Sequence, residues 1–297
     1  MVKLLSILLF ANILFPKVWN LMGQEFFYQK ELGKFSDASS FSYSPSGFFY
    51  VADRHTNEIF KIDTLGNVKK YIGGYGWDES YFDDPIFIFS TLLNVYVTDK
   101  NNHRIQMFDK DLNYITQLSN QNPEQGNNNL DNIIFGYPLG CVVSTMGDFF
   151  VLDSENKRVL KFDPSGNFLL QFGGYDAGRY SLSDPKRIAI TNDNKIFVLD
   201  DSSLIIFDQF GNGLLKVKLS EKFSDINITY DQLVLNNSSV IYYASLGKNA
   251  FEFKKAYLSS YDNNEEIIEA LITGNNLFVL TKNYILLFKM NPLREKG

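Results

Sequence analysis

The chain has 297 residues, 45% of them hydrophobic, enough to bury the core of one large all-β domain or of two ordinary ones. The aromatic share of 15% is dominated by Phe and Tyr, which suit pleated, packed surfaces, so composition leans towards β. A formal charge of −6 with a pI near 5.1 offers a polyanion no net attraction and argues against general binding of nucleic acid or anionic membrane; only a local basic patch would be an exception.

The N-terminus places one Lys before an apolar run from Leu4 to Phe15, the layout of a secretory signal. Twelve residues are too few to span a bilayer comfortably. The small-residue cleavage pattern is poor, Leu21 and Gly23 before Gln24 being the best candidate, so the other reading is a retained interfacial anchor. No Cys follows the run to accept a lipid. The expected organisation is a signal peptide over residues 1–23, cleaved or retained, and a single domain over 24–297, exported to a periplasm or to the extracellular space. Cys141 is alone, so an internal disulfide is impossible and stability must come from packing.

From Val51 the chain reads VADRHTNEIFKIDTLGN, and the pattern returns as VTDKNNHRIQMFDKDLN from Val97, VLDSENKRVLKFDPSGN from Val151 and VLDDSSLIIFDQFGN from Val198. Weaker copies start at Tyr242 and Phe278. The reference positions are Asp53, Asp99, Asp153, Asp200, Ser245 and Thr281, at intervals of roughly 40 to 50 residues with the last one shorter. Short strands at that period signal propeller blades of four strands. A second repeat agrees with the first: GGYGWDESYFDDP from Gly73 and GGYDAGRYSLSDP from Gly173 match in length and in both ends.

In the fourth unit strand A is expected at Arg187 to Thr191, B at KIFVLD, C at LIIFD and D at LLKVKL. Strands A and B are apolar on both faces, as strands covered on both sides should be. Cys141 aligns with Ile188 of strand A and reads as a core residue. The sixth unit lacks a convincing strand D, whereas EFFYQKELGKF from Glu25 resembles the D segment of the third unit. The expectation is a six-bladed β-propeller of four-stranded antiparallel blades, with residues near Phe26 to Leu32 completing the last blade and closing the ring.

The glycine-rich linker with its Pro, the apolar strand ending in Asp (VYVTD) and NNHRIQMFD with its following turn are similar to NHL repeats, strongly in units two to four and over essentially the whole chain after residue 24. That resemblance implies a six-bladed propeller of a kind used mainly to bind proteins, peptides, glycans or RNA. Some similar propellers are metal-dependent lyases or lactonases, and fold alone does not choose among them.

An Asp that recurs in four of the six units, about a blade apart, does not form one converged site; it reads as a turn carboxylate that accepts backbone N–H groups. Asn102 with Arg104, echoed by Asn156 with Arg158, belongs to the same repeated loop. His55 and His103 are the only histidines and lie at unmatched offsets, so a His-rich zinc site is absent. No GxSxG elbow, P-loop or HExxH occurs, and the paired glycines enter linkers instead of helices. No catalytic or metal-binding residue is nominated and no cofactor is expected, calcium at Asp78, Glu79, Asp83 and Asp84 being left open. Sequons at Asn227, Asn236 and Asn237 matter only in a glycosylating pathway.

What remains is the surface that carries the long loops between strands B and C and the linkers between units. Variable loops on a rigid scaffold are where contacts concentrate, and aromatic and Arg side chains are favoured there. Arg54, His55, Trp77, Tyr81, Tyr175, Arg179 and Tyr180 are the candidate ligand-binding residues, with an interblade plug as the other role for Trp77. The expected function is non-catalytic binding of a protein, peptide or glycan by an exported monomer, with no nucleic acid and no stable membrane span. The alternative is a metal-dependent lyase or hydrolase with a divalent ion near the central channel.

Overall fold

The structure is a computed structural model that describes residues 23–119, 135–230, 232–247, 251–261 and 265–290. The apolar Leu4 to Phe15 run, most of the linker before Phe135 and the C-terminal residues 291–297 lie outside the described residues.

The first strand is β1 (Gln24–Leu32). Four antiparallel meanders then form separate four-stranded sheets. They are β2 (Ala38–Tyr43), β3 (Phe48–Asp53), β4 (Glu58–Asp63) and β5 (Val68–Gly73); β6 (Pro85–Ser90), β7 (Asn94–Asp99), β8 (Arg104–Asp109) and β9 (Tyr114–Ser119). The other two are β10 (Pro138–Val143), β11 (Phe149–Asp153), β12 (Arg158–Phe162) and β13 (Phe168–Phe172); β14 (Pro185–Ile190), β15 (Ile196–Asp200), β16 (Ser203–Phe207) and β17 (Gly213–Lys218). The last of these lies within two residues of the strands expected for the fourth unit.

The remaining strands are β18 (Asp225–Thr229), β19 (Gln232–Asn236), β20 (Ile241–Ser245), β21 (Lys254–Ser259), β22 (Glu269–Thr273), β23 (Asn276–Leu280) and β24 (Ile285–Met290). With β1 they make one eight-stranded sheet in the order β18-β19-β20-β21-β1-β24-β23-β22. The expectation of six separate blades closed by an N-terminal strand is therefore corrected to four blades and one eight-stranded sheet. The cause lies in β1. It runs antiparallel to β24, with Tyr28 opposite Phe288 and Leu32 opposite Ile285. Its other edge is not free: Gln24 to Phe27 pair in parallel with Ala256 to Ser259 of β21. β20 covers one edge of β21 over Lys254 to Ala256, and the nine-residue β1 is long enough to pair with the opposite edge as well as with β24. Pairing through β1 leaves neither edge exposed.

The innermost strands β2, β6, β10, β14, β18 and β22 touch in that order, and β2 meets β23 across the closure. Apolar layers fill the gaps between sheets. Val142, Phe150 and Leu152 pack against Ile188, Val198 and Ile205, and at the closure Phe41 and Phe49 pack against Leu271 and Phe278. Every residue of β11 and β15 is buried, which is why these strands read as continuous apolar runs. Cys141 is buried in this core, and burial pushes its thiol well above the usual range, so the side chain is an inert packing group.

Because the strands alternate in direction, the molecule has two unlike ends. One carries the turns from the first strand of each meander to the second and from the third to the fourth: the turn end. The other carries the loops between second and third strands and the linkers between sheets: the loop end.

Candidate functional site at the loop end

The repeated Asp organises the loop end. Asp53 accepts from the N–H groups of Ser36 at 2.6 Å and Asp37 at 3.3 Å in the incoming linker, and from His55 and Thr56 in its own loop. Asp200 does the same for Ser183 and Asp184, Asp153 for Gly136 and Asn156, and Asp99 for Asp83. Each carboxylate thus ties the entry of one meander to the end of its second strand. The expected role in the following loop is present at Asp53 and Asp153; the bond to the preceding linker was not anticipated.

The strongest version is in the second meander. Asp99 is fully buried and receives Arg104 Nε at 2.8 Å and Asn102 Nδ2 at 2.8 Å. Burial nevertheless holds its carboxyl above the usual carboxylate range. The same Arg104 spends its other N–H groups on the carbonyls of Trp77 (2.6 Å), Asp78 (3.1 Å) and Tyr81 (2.8 Å) and on Gln117. Asn102 donates to Gly76 O, and Gln106 bonds both Tyr81 O and Ser80 N–H. Three buried polar side chains therefore pin the backbone of the Gly76 to Tyr81 linker from below.

Its aromatic side chains point the other way. Trp77 is 60% exposed, Tyr75 70% and Tyr81 45%, so Trp77 is no interblade plug. Tyr137 of the next linker is also exposed; its N–H donates to His103 Nδ1 at 3.0 Å and its ring meets the imidazole edge-on. In the linker after that, Tyr175 is completely exposed, while Arg179 stacks over the half-buried Tyr180 ring at 4.6 Å. The linkers are consecutive around the ring, so Tyr75, Trp77, Tyr81, Tyr137 and Tyr175 form an arc. Arg54 joins the first of them through Nε and Nη2, which both donate to Asp84 Oδ1, and His55 is exposed beside it. Sequence reasoning left Tyr75 and Tyr137 out of the candidate set because side-chain exposure within a Gly-rich linker has no sequence signal.

Of the acidic residues near the arc, Asp84 is engaged by Arg54 and Lys100, and Asp83 by Asn101. Among the described residues no three His, Cys, Asp or Glu side chains gather as metal ligands.

The channel along the axis holds a polar network that the sequence did not reveal. Glu269 accepts from Ser40 Oγ (2.9 Å), Phe41 N–H (3.0 Å) and Asn227 Nδ2 (2.7 Å), and Arg187 Nε bonds Asp225 at 2.9 Å. Burial, and then the neighbouring Asp225, push the Glu269 carboxyl up to about 8; burial raises Asp225 to about 6 against the pull of Arg187. Asn227 is thereby committed and Asn236 is buried, so neither sequon is open to a glycan. At the turn end two cavities of about 540 and 580 Å³ share the wall formed by Thr191, Asn192 and Tyr230; none of the seven candidate residues lines either.

A family model described as NHL repeat matches residues 135–162, from just before β10 to the end of β12. Among curated proteins, the chain is 29% identical over 153 residues to "Protein brain tumor" of Drosophila melanogaster, covering 50% of this chain and 14% of that one. It is 30% identical over 152 residues to "B-box type zinc finger protein ncl-1" of Caenorhabditis elegans, covering 50% and 17%. The chain therefore spans less than a fifth of either relative. Among solved structures, an inactive H270A virginiamycin B lyase from Staphylococcus aureus with quinupristin aligns at a TM-score of 0.58 and 14% identity over 86% of this chain and 81% of that one. YCF48 bound to D1 peptide aligns at 0.54 and 13% over 86% and 79%. At such identities the likeness is one of fold alone, and with the strand topology it makes the chain an all-β propeller with one segment that matches the NHL repeat.

Proposed function

We propose that the protein is a binding module without catalytic activity, which recognises a partner protein or peptide through the aromatic arc of its loop end. The supporting observation is the linker from Gly76 to Tyr81, whose backbone is fixed by Arg104, Asn102 and Gln106 while Tyr75, Trp77 and Tyr81 stay exposed. Large aromatic groups held in one geometry lose little entropy on binding, which favours a contact surface over a solvent-facing loop. A similar fold with a bound peptide is consistent with this reading. The lyase or hydrolase alternative has less support: Glu269 is engaged by Ser40, Phe41 and Asn227, and Asp225 Oδ1 by Arg187, with only the buried Asp225 Oδ2 left unpaired. Export, indicated by the Leu4 to Phe15 run, belongs to the same reading.

The test is affinity capture with the intact protein and with Trp77→Ala, Arg179→Ala and, from the opposite end, Leu93→Ala. Loss of one partner from the Trp77 and Arg179 variants, with retention by Leu93→Ala, is the expected result. A partner that ignores both loop-end variants, or that is lost only with Leu93→Ala, would overturn the assignment.

A further inference from the structure

The ring of inner strands opens at the turn end into a cup. Its cavity of about 540 Å³ lies inside the turns that join first to second strands, and Tyr43, Phe89, Tyr96, Val143, Ile190 and Ile228, drawn from all five sheets, supply its apolar wall. The cup is the mouth of the axial channel. Tyr43, Phe89, Ser90, Ile190, Ile228 and Thr229 also line the narrower cavity of about 80 Å³ beneath it, where Asn227 and Glu269 stand. The cup falls within the roughly 300–1,000 Å³ of small-molecule sites, whereas the stem has room for only a few waters.

The wall is distinctive in its chemistry. No charged side chain among the described residues lines the cup, whereas the adjoining cavity of about 580 Å³ has Asp193 and Lys195 in its wall. Most polar groups at the rim are already taken up by their own turns. Thr91 Oγ1 accepts from Asn94 N–H, Ser144 Oγ from the N–H groups of Met146 and Asp148, and Thr191 Oγ1 from Lys195 N–H; Thr145 Oγ1 pairs with the Asn194 side chain. Lower down, Ser90 Oγ lies 2.8 Å from Ser42 Oγ. Water in the cup therefore meets few free partners, and an apolar group that displaces it gains affinity.

One polar group is left over. Thr229 Oγ1 is buried at the neck between cup and stem and bonds no other group of the protein. Its residue is held in place by backbone pairing with Gln232, so the hydroxyl has a fixed position. A buried hydroxyl without a partner costs free energy, which an oxygen placed against it would recover.

We propose that the turn-end mouth of the channel binds an uncharged, largely apolar small molecule that carries one hydroxyl or carbonyl group. The apolar body fills the cup against Tyr43, Phe89 and Ile190, and its oxygen reaches Thr229 Oγ1 at the neck. This site is separate from the aromatic arc and stands whether or not the arc binds a partner.

The probe is 2-naphthol, uncharged at pH 7, in equilibrium dialysis with the full chain. Naphthalene lacks its hydroxyl, and 2-naphthoate carries a charge. Saturable retention of 2-naphthol at a single site is expected, with 2-naphthoate held at least about tenfold more weakly. Thr229→Val keeps the branched shape and removes the hydroxyl. It should weaken 2-naphthol about three- to tenfold, leave naphthalene unchanged and not lower the melting temperature. Ile190→Trp, checked for its fold, fills the neck and should abolish retention of both probes; should it fail to fold, the Thr229→Val comparison decides alone. Absence of saturable retention, equal or tighter binding of 2-naphthoate, or equal loss of both neutral probes in Thr229→Val would overturn the proposal. So would retention that survives in folded Ile190→Trp, or that vanishes with Trp77→Ala, which would place the probe on the loop end.

Discussion

Replacing Arg104 by Met keeps most of the side-chain stem in the second meander and removes its charge. Asp99 then stays buried with only the Asp83 N–H and Asn102 Nδ2 as donors, and the carbonyls of Trp77, Asp78 and Tyr81 lose their shared partner. Breaking a buried ion pair from one side costs about 3–5 kcal/mol, most of it the uncompensated charge that remains. The linker carbonyls are close enough to solvent to regain water, so they add little, and the expected loss is about 3–4 kcal/mol in urea unfolding at pH 7. Two features separate this account from general damage. Adding Asp99→Asn should recover about 1.5 kcal/mol or more, because an amide in that place carries no charge to compensate. The penalty should also shrink towards pH 5: burial already holds the Asp99 carboxyl above its usual range, and the variant can shed the charge by binding a proton. Hydrogen exchange should quicken in Gly76 to Tyr81 and stay unchanged in the Gly173 to Asp184 linker. A loss under about 1 kcal/mol, or no recovery with Asp99→Asn, would refute the idea that this pair is desolvated and holds the aromatic linker.

Two further outcomes follow from the channel and the seam. A carboxyl whose folded pKa is raised binds its proton more tightly folded than unfolded, so the Glu269 contribution is whole below its ordinary value of 4.5 and is lost as pH rises to about 8. Asp225, raised to about 6, works in the same direction. Glu269→Gln, with Asn227 turning its amide to present oxygen, should flatten the fall in stability between pH 5 and 8 and should match or exceed the unaltered protein at pH 8; an unchanged slope in pH-dependent urea unfolding would count against it. Phe26 is fully buried between β21 and β24 among Ile241, Tyr243 and Phe288, so Phe26→Ala should cost about 3–5 kcal/mol. A melting temperature within a degree of the unaltered protein would show that β1 does not hold the eight-stranded sheet.

Much of the architecture is written in the chain as periodicity. Runs such as VYVTD and FVLD mark strands covered on both faces, and the aspartates that end them are the carboxylates that staple linkers to strands. Cys141 was legible as core for the same reason. The fused sheet was not legible, because nothing in QEFFYQKEL states that its first four residues find a parallel partner in AYLS; that depends on the last two meanders coming together with the outer edge of β21 beside β1. The channel network was equally hidden. Arg187, Asp225 and Glu269 share no motif, and only the ring brings segments so far apart in the chain onto one axis. The aromatic arc was half visible: composition marked the linkers, but which rings point outward follows from Arg104 and its neighbours taking up the backbone.

The placement of β1 between β21 and β24 also constrains how the molecule is made. A strand finished within the first 32 residues finds one of its two neighbours only when residue 290 has been synthesised. During elongation on the ribosome four meanders can fold as they emerge, while the last sheet waits with open edges for its centre to be bounded on both sides. Assembly is therefore completed only once β24 has emerged, and the interval before it is when this chain most needs shielding from its own neighbours.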